Sequence, residues 1–171
     1  MIATSQPGVR LRFAQRQDAA LVLSFIRELA EFEQLAHQVV ANEDTLADSL
    51  FGEHPAAEVV IAEVDGEPAA FALFFHNYST FLGRRGLYLE DLFVRPRFRG
   101  EGLGRLLMTF LARLALERGC GRFEWWVLDW NTDALGFYRD LGATGMDDWT
   151  VQRISGDALQ RLAAQFDSAT H

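Results

Sequence analysis

Between Leu103 and Ala115 the apolar residues Leu103, Leu106, Leu107, Phe110, Leu111, Leu114 and Ala115 fall at the i, i+3, i+4, i+7 spacing of one helix face. No other stretch repeats as regularly, and the residues ahead of it narrow what the chain can fold into. Leu87 to Val94 reads as an apolar strand, and Pro96 ends it. Gly100, Gly102 and Gly104, at alternate positions, then open the helix. Strand, glycine-rich turn and helix in that order aim backbone N–H groups and the positive end of a helix dipole at one place, which suits an anion. Arg95, Arg97, Arg99 and Arg105 stand around that place. A plain tight turn would need neither the alternating glycines nor the arginines.

The flanking sequence supplies the rest of an α/β pattern. Val9 to Phe13 predicts a short strand, and Asp18 can cap a helix running to about Leu35. The apolar stripe of that helix, Val22, Ile26 and Leu29, continues onto Glu33, so a carboxylate is expected on the core-facing side at the helix end. A second helix is predicted over Glu43 to Leu50, with a turn at residues 52–55. Glu58 to Val64 and Ala69 to Tyr78 read as strands joined by Asp65-Gly66, a hairpin signal. Gly119 and Gly121 end the long helix, and Arg122 to Leu128 reads as a further strand. Asn131 or Thr132 caps a helix to Leu141, Trp149 to Ile154 reads as a last strand, and Asp157 to Phe166 as a last helix. A single mixed α/β domain is expected over residues 1–171, with its core at about 9–166.

Alternation along the Leu87 strand predicts Leu87, Leu89, Asp91 and Phe93 on one face and Tyr88, Glu90, Leu92 and Val94 on the other. Two adjacent carboxylates in so apolar a strand need a reason: solvent, an arginine partner or a binding site.

Composition removes several chemistries. All sixteen basic residues are arginine. Without lysine there is no Schiff-base chemistry and no Walker loop. The glycines do not form GxGxxG, because Leu107 stands where the third would be. Neither GxSxG nor HExxH occurs, and His37, His54, His76 and His171 lack metal-ligand spacing, so no metal is expected. Cys120 is the only cysteine, set between two glycines and read as a neutral or buried thiol. The net charge of −8 argues against a nucleic-acid partner. The longest apolar run, Ala69 to Phe75, is far short of a membrane span, and the first ten residues lack the apolar core of a signal peptide. A soluble cytoplasmic protein is expected. From Glu28 to Gly83 there are eleven acids and no arginine, while basic residues gather at the glycine turn. That acidic half serves solubility, and individual acids within it suit a cation.

Arg99-Gly100-Glu101-Gly102-Leu103-Gly104 resembles the Q/R-x-x-G-x-G/A acetyl-CoA loop of the GNAT acetyltransferase superfamily. The stretch Asn131 to Gly142, NTDALGFYRDLG, resembles that superfamily's N-x-x-A-x-x-F-Y-x-x-L-G segment. ELAEFE, FGEHP, LYLEDLFV and Asp129-Trp130-Asn131 are similar to the spermidine/spermine (diamine) N-acetyltransferases. The likeness runs from about Val9 to Ile154.

The resemblance implies a GNAT fold, a mixed and mostly antiparallel sheet splayed after its fourth main strand and flanked by helices. It implies acetyl-CoA as co-substrate, with pantetheine paired to the backbone of Leu92, Phe93 and Val94. The diphosphate would rest on the amides of Arg99, Gly100, Glu101, Gly102, Leu103, Gly104 and Arg105, with Asn131 also at the cofactor. An amine attacks the thioester directly, with Glu90 holding or deprotonating it and Tyr138 returning a proton to the thiolate. A packed aromatic whose hydroxyl is satisfied is the other reading of Tyr138. Phe32, Glu33, Glu90, Asp91 and Trp149 fall at acceptor-binding positions, although Asp-Asp-Trp replaces Glu-Gly-Trp around Trp149. His76 and Tyr78 suit either the acceptor cleft or a hairpin end. The substrate implied is a small cationic amine, polyamine or lysine-like, and the assembly a homodimer. A protein N-terminus, an amino acid or an aminoglycoside amine as acceptor remains open, as does a non-catalytic acyl-CoA sensor.

Overall fold

Asp65 and Gly66 take positive φ, 50° and 83°, the left-handed pair that closes a two-residue hairpin with the twist its strands prefer. In the computed structural model, which describes residues 1–166, this turn joins β3 (Glu58–Val64) to β4 (Glu67–Ser79). With β1 (Ile2–Ala3), β2 (Val9–Phe13), β5 (Arg84–Val94) and β6 (Arg122–Trp125) they form a six-stranded sheet in the order β1-β2-β3-β4-β5-β6. All neighbours are antiparallel except β5 and β6, which run parallel. This is the mixed, mostly antiparallel sheet expected from the sequence.

Two layers of helix cover the sheet. α1 (Ala19–Phe32) and α2 (Glu43–Phe51) bury Val22, Leu23, Phe25, Leu46 and Leu50 against Val59, Ile61, Phe71, Leu73 and Phe93. Alternate residues on the same strands, Val60, Ala62, Ala70, Ala72 and Phe74, are fully buried on the opposite face. There α3 (Leu103–Glu117) packs through Leu103, Leu107, Met108, Leu111 and Ala115, most of the predicted stripe.

The expected face pattern of β5 breaks in the middle. Leu73 pairs with Asp91, but Phe74 pairs with Leu89, so Glu90 is an extra residue in a β-bulge. Directly opposed residues share a face. Leu87 and Leu89 therefore lie with Phe74 on the α3 side, whereas Asp91 and Phe93 lie with Leu73 and Phe71 on the α1 side. Tyr88, opposite Phe75, also joins the α1 side. Sequence alternation had placed Leu87, Leu89, Asp91 and Phe93 together, and the one-residue insertion is why it fails.

The bulge also ends a ladder. β6 follows β5 only from Gly86 to Leu89, and beyond that point no strand is described on this edge of β5. The sheet is splayed after β5, the fourth main strand counting from β2. Hence β6 stops at Trp125, three residues short of the predicted Leu128.

Arginine forks tie the layers together. Arg12 donates Nη1 and Nη2 to Asp18 at 2.7 and 3.0 Å, and Nε to Glu63 at 2.6 Å. Asp18 stands at the N-cap of α1 but does not cap it, because its Oδ2 accepts from Arg12 and from the Gln15 amide instead. Arg95 reaches both oxygens of Glu28, the Ser24 hydroxyl and the Pro68 carbonyl, and lies 4.5 Å over the Phe25 ring.

The chain divides into two compact units after Trp126. In the second, Asn131 Oδ1 accepts from the Ala134 amide at 3.2 Å and starts α4 (Thr132–Asp140). Gly142 follows at φ 96°, and α5 spans Gly156–Ala163, shorter than the predicted 157–166. The strand predicted over Trp149 to Ile154 does not form. Its alternation is apolar enough, but a strand exists only as part of a ladder. No strand among the described residues forms a ladder with this segment, and Trp149, Val151 and Ile154 are exposed. His171 lies outside the described residues.

Candidate active site

The bulge in β5 and the end of α1 bring three carboxylates together. α1 stops at Phe32 rather than the predicted Leu35, because Gln34 turns to positive φ (60°). Glu33 therefore occupies the C-cap, half-buried, and burial pushes its carboxyl above the usual range. Asp91 is half-buried on the sheet face below. Its pKa is raised to about 7, first by burial and then by the charges of Glu90 and Glu33. No arginine pairs with Glu33, Glu90 or Asp91 among the described residues, which removes the arginine-partner explanation for Asp91, while Glu90 itself is exposed. Three acids without a counter-ion repel one another and are relieved by a cation.

The same face extends away from α1 over residues the sequence did not single out. Tyr88 stacks on Phe75 at 4.9 Å and meets Trp126 edge-on at 5.9 Å. Its neighbour in the β6 ladder is Glu124. Burial, then Glu90 and then Glu124, keep the Tyr88 phenol protonated well above its usual range. Glu124 Oε1 accepts from Arg122 Nε at 2.7 Å and Asn77 Nδ2 at 3.3 Å. Ladder register brings these residues together, and register between distant strands is not written in local sequence. His76, by contrast, lies beside Arg118 at 3.5 Å on the α3 side, away from the carboxylates, and Tyr78 is exposed at the hairpin end. Cys120 is buried and unbridged, as expected.

The glycine turn has the predicted form. Gly100 and Gly102 sit at φ 81° and 79°, a conformation in which L side chains are strained. A side chain at Gly100 would meet open space, and one at Gly102 only the tip of Gln6. The backbone is thus exposed for close approach. Leu106 makes the first helical bond, to the Gly102 carbonyl. The amides of Leu103, Gly104 and Arg105 precede it at the start of a fifteen-residue helix. This donor set fits a diphosphate. Leu92, Phe93 and Val94 lie on the open length of β5, and Arg99 Nε donates to the Val94 carbonyl at 3.0 Å.

In the second unit, Asn131 caps α4 and Tyr138 lies on that helix, its ring 5.3 Å from Phe137. Trp149 is exposed there. Among the described residues no group of acids, histidines and cysteines could hold a metal, and no helix is long and apolar enough to cross a membrane.

A splayed mixed sheet, a glycine cradle at a long helix and an acidic face beside the open strand define an acyl-transfer scaffold. Residues 23–143 match the acetyltransferase (GNAT) family. The chain belongs to that family and is an acetyltransferase. It is 38% identical to the thialysine N-epsilon-acetyltransferase of Mus musculus, covering 92% of this chain and 99% of that one. It is 33% identical to an L-ornithine N5-acetyltransferase of Arabidopsis thaliana, over 90% and 87% of the two chains. Among solved structures, an integron cassette protein from the mobile metagenome of V. cholerae superposes with a TM-score of 0.77 at 28% identity, over 92% of this chain and 99% of that one.

Proposed function

We propose that this acetyltransferase transfers an acetyl group from acetyl-CoA to a primary amine of a small cationic substrate, a lysine-like diamine or a polyamine. The observation that carries the reading is the set of unpaired carboxylates, Glu33, Glu90 and Asp91, beside the open edge of β5. The relatives named for thialysine and ornithine, both amines of this kind, support it. We take residues 1–171 as one catalytic domain, cytoplasmic and homodimeric.

Acetyl-CoA, when bound, supplies an activated thioester. The amides of Arg99 to Arg105 would hold its diphosphate, with Leu92 to Val94 along its pantetheine and Asn131 nearby. Glu33 and Asp91 would draw the ammonium in, with Phe32 and Trp149 at the acceptor positions. An alkylammonium has a pKa of ~10 and must lose a proton before it attacks. Glu90, projecting at the bulge, would take that proton, directly or through water. The Phe93 amide would steady the oxyanion. Tyr138 would protonate the leaving thiolate as general acid.

The test is CoA release from acetyl-CoA with thialysine, lysine, ornithine, diamines, polyamines, aminoglycosides and peptide N-termini. Turnover confined to peptides or aminoglycosides would replace the substrate class, and CoA binding with no turnover would make the protein a sensor. Tyr138→Phe should lower kcat by about 10²-fold with little change in acetyl-CoA affinity. Unaltered kcat would remove the acid role.

A further inference from the structure

Arg99 opens the glycine loop, and its side chain reaches back to the end of β5. Its Nε donates to the Val94 carbonyl at 3.0 Å. Its guanidinium carbon lies 5.1 Å from the centre of the Phe32 ring and 5.4 Å from that of Phe93. Phe32 is the last residue of α1, is 44% exposed, and is followed at once by Glu33. Phe93 is buried and shares the α1 side of β5 with Asp91. One planar cation therefore bridges the helix end that bears Glu33 and the strand that bears Asp91.

Backbone bonds from Glu33 to Leu29, Gln34 to Glu31 and Leu35 to Ala30 close the helix itself, but they do not set the rotamer of the Phe32 ring. The arginine fork on α1, Arg95 with Glu28, lies a full turn earlier. After Phe32 the chain leaves the helix within two residues, at Gln34. Arg99 is one of the groups that lie against this half-exposed ring. A guanidinium does this without losing its hydrogen bond, because its faces stack while its edge donates. A lysine cannot do both.

We infer that Arg99 is a positioning residue for the acceptor amine. Held by the Val94 carbonyl, it fixes Phe32, and through Phe32 the placement of Glu33 opposite Asp91. This role rests on the proposed amine acetylation and is additional to any contact with the donor.

A double-mutant cycle tests it, using Arg99→Lys, Phe32→Leu and the pair, with thialysine or the best amine of the panel and acetyl-CoA saturating throughout. Saturation removes from the reading whatever Arg99 adds to donor affinity. Arg99→Lys should raise the amine KM about fivefold while kcat stays within about twofold, the pattern of lost ground-state positioning. Because the two residues act as one unit, the double variant should be no worse than Phe32→Leu alone to within about twofold. Additive effects, or a fall in kcat with amine KM unchanged, would overturn the assignment. Unfolding midpoints of the variants in urea show whether a loss is only structural, and an equal fall in stability and activity would also overturn it. If the wild-type enzyme turns over no amine, the functional reading fails and this inference with it. Turnover without coupling defeats the inference alone.

Discussion

Glu28 and Glu33 lie five residues apart at the end of the same helix, and they live in opposite circumstances. Glu28 takes two hydrogen bonds from Arg95. Glu33 has no arginine, and burial pushes its carboxyl up. The contrast extends over the molecule. Asp18, Glu63 and Glu58 each meet an arginine fork, from Arg12 or Arg118. Arg12 holds Asp18 well below the usual carboxylate range. Glu33, Glu90 and Asp91 meet none. In a chain without lysine every internal cation is a rigid planar fork, suited to fastening carboxylates in place. The fold uses those forks where an acid bears structure, and under the proposed function the acids left without one are those that would receive the amine.

The sharpest way to break this comparison is to remove a fork. Arg12→Met leaves Asp18 and Glu63 largely buried without a counter-charge, and should cost about 3–5 kcal/mol in urea unfolding. A loss below about 1 kcal/mol would mean the paired acids are no better held than the unpaired ones. Next comes the reverse experiment. Glu90→Gln removes a repelling charge, so stability should hold or rise, while kcat/KM for the amine falls about 10²-fold or more. If the variant loses stability and keeps its activity, Glu90 belongs with the structural set.

The pH dependence gives a smaller, signed effect. Asp91 holds its proton to about pH 7 in the folded chain, against an ordinary value of 3.8. It therefore gains its charge as pH rises through about 7, while a substrate ammonium with a pKa of ~10 is still cationic. Amine KM should fall across that interval, and Asp91→Asn should flatten the change. Stability moves the opposite way. The folded state binds more protons between about pH 4 and 7, so unfolding becomes easier as pH rises through that window. Asp91→Asn should therefore stabilise the protein most above pH 7, as thermal melts at pH 5 and 8 would reveal. The least effect is expected from Arg97→Ala, which breaks an exposed pair with Glu67. It should change stability by under about 1 kcal/mol.

Much of this architecture was legible locally. The Leu103 stripe, the Asp65-Gly66 turn and the glycine cradle each depend on a few neighbouring residues, and each took the predicted form. The capping role of Asn131 was read in the same way. What escaped depended on partners distant in sequence. Asp18 looks like a helix cap until Arg12, only six residues earlier but anchored through Glu63 on β3, proves the stronger partner. The bulge at Glu90 is invisible in LYLEDLFV, whose letters alternate well enough through it. Its one trace is the second acid, Asp91, standing where alternation called for a core residue. Tyr88 and Glu124 meet only through the β5–β6 ladder, and nothing near either residue announces the other. Trp149 to Ile154 has the composition of a strand, but composition does not supply a ladder.

The open length of β5, from Glu90 to Val94, is five residues long. Bare strand edges are where foreign chains add on and aggregation begins. This one is too short to seed a stable intermolecular sheet, since isolated two-stranded pairings of such length are marginal in water. A slender guest carrying a few amide groups would face no such penalty if, as proposed, the remainder of its affinity came from the cradle at α3. Deuterium uptake at these amides should be quick in the empty protein and slow once a guest lies along them, so that the strand itself reports occupancy.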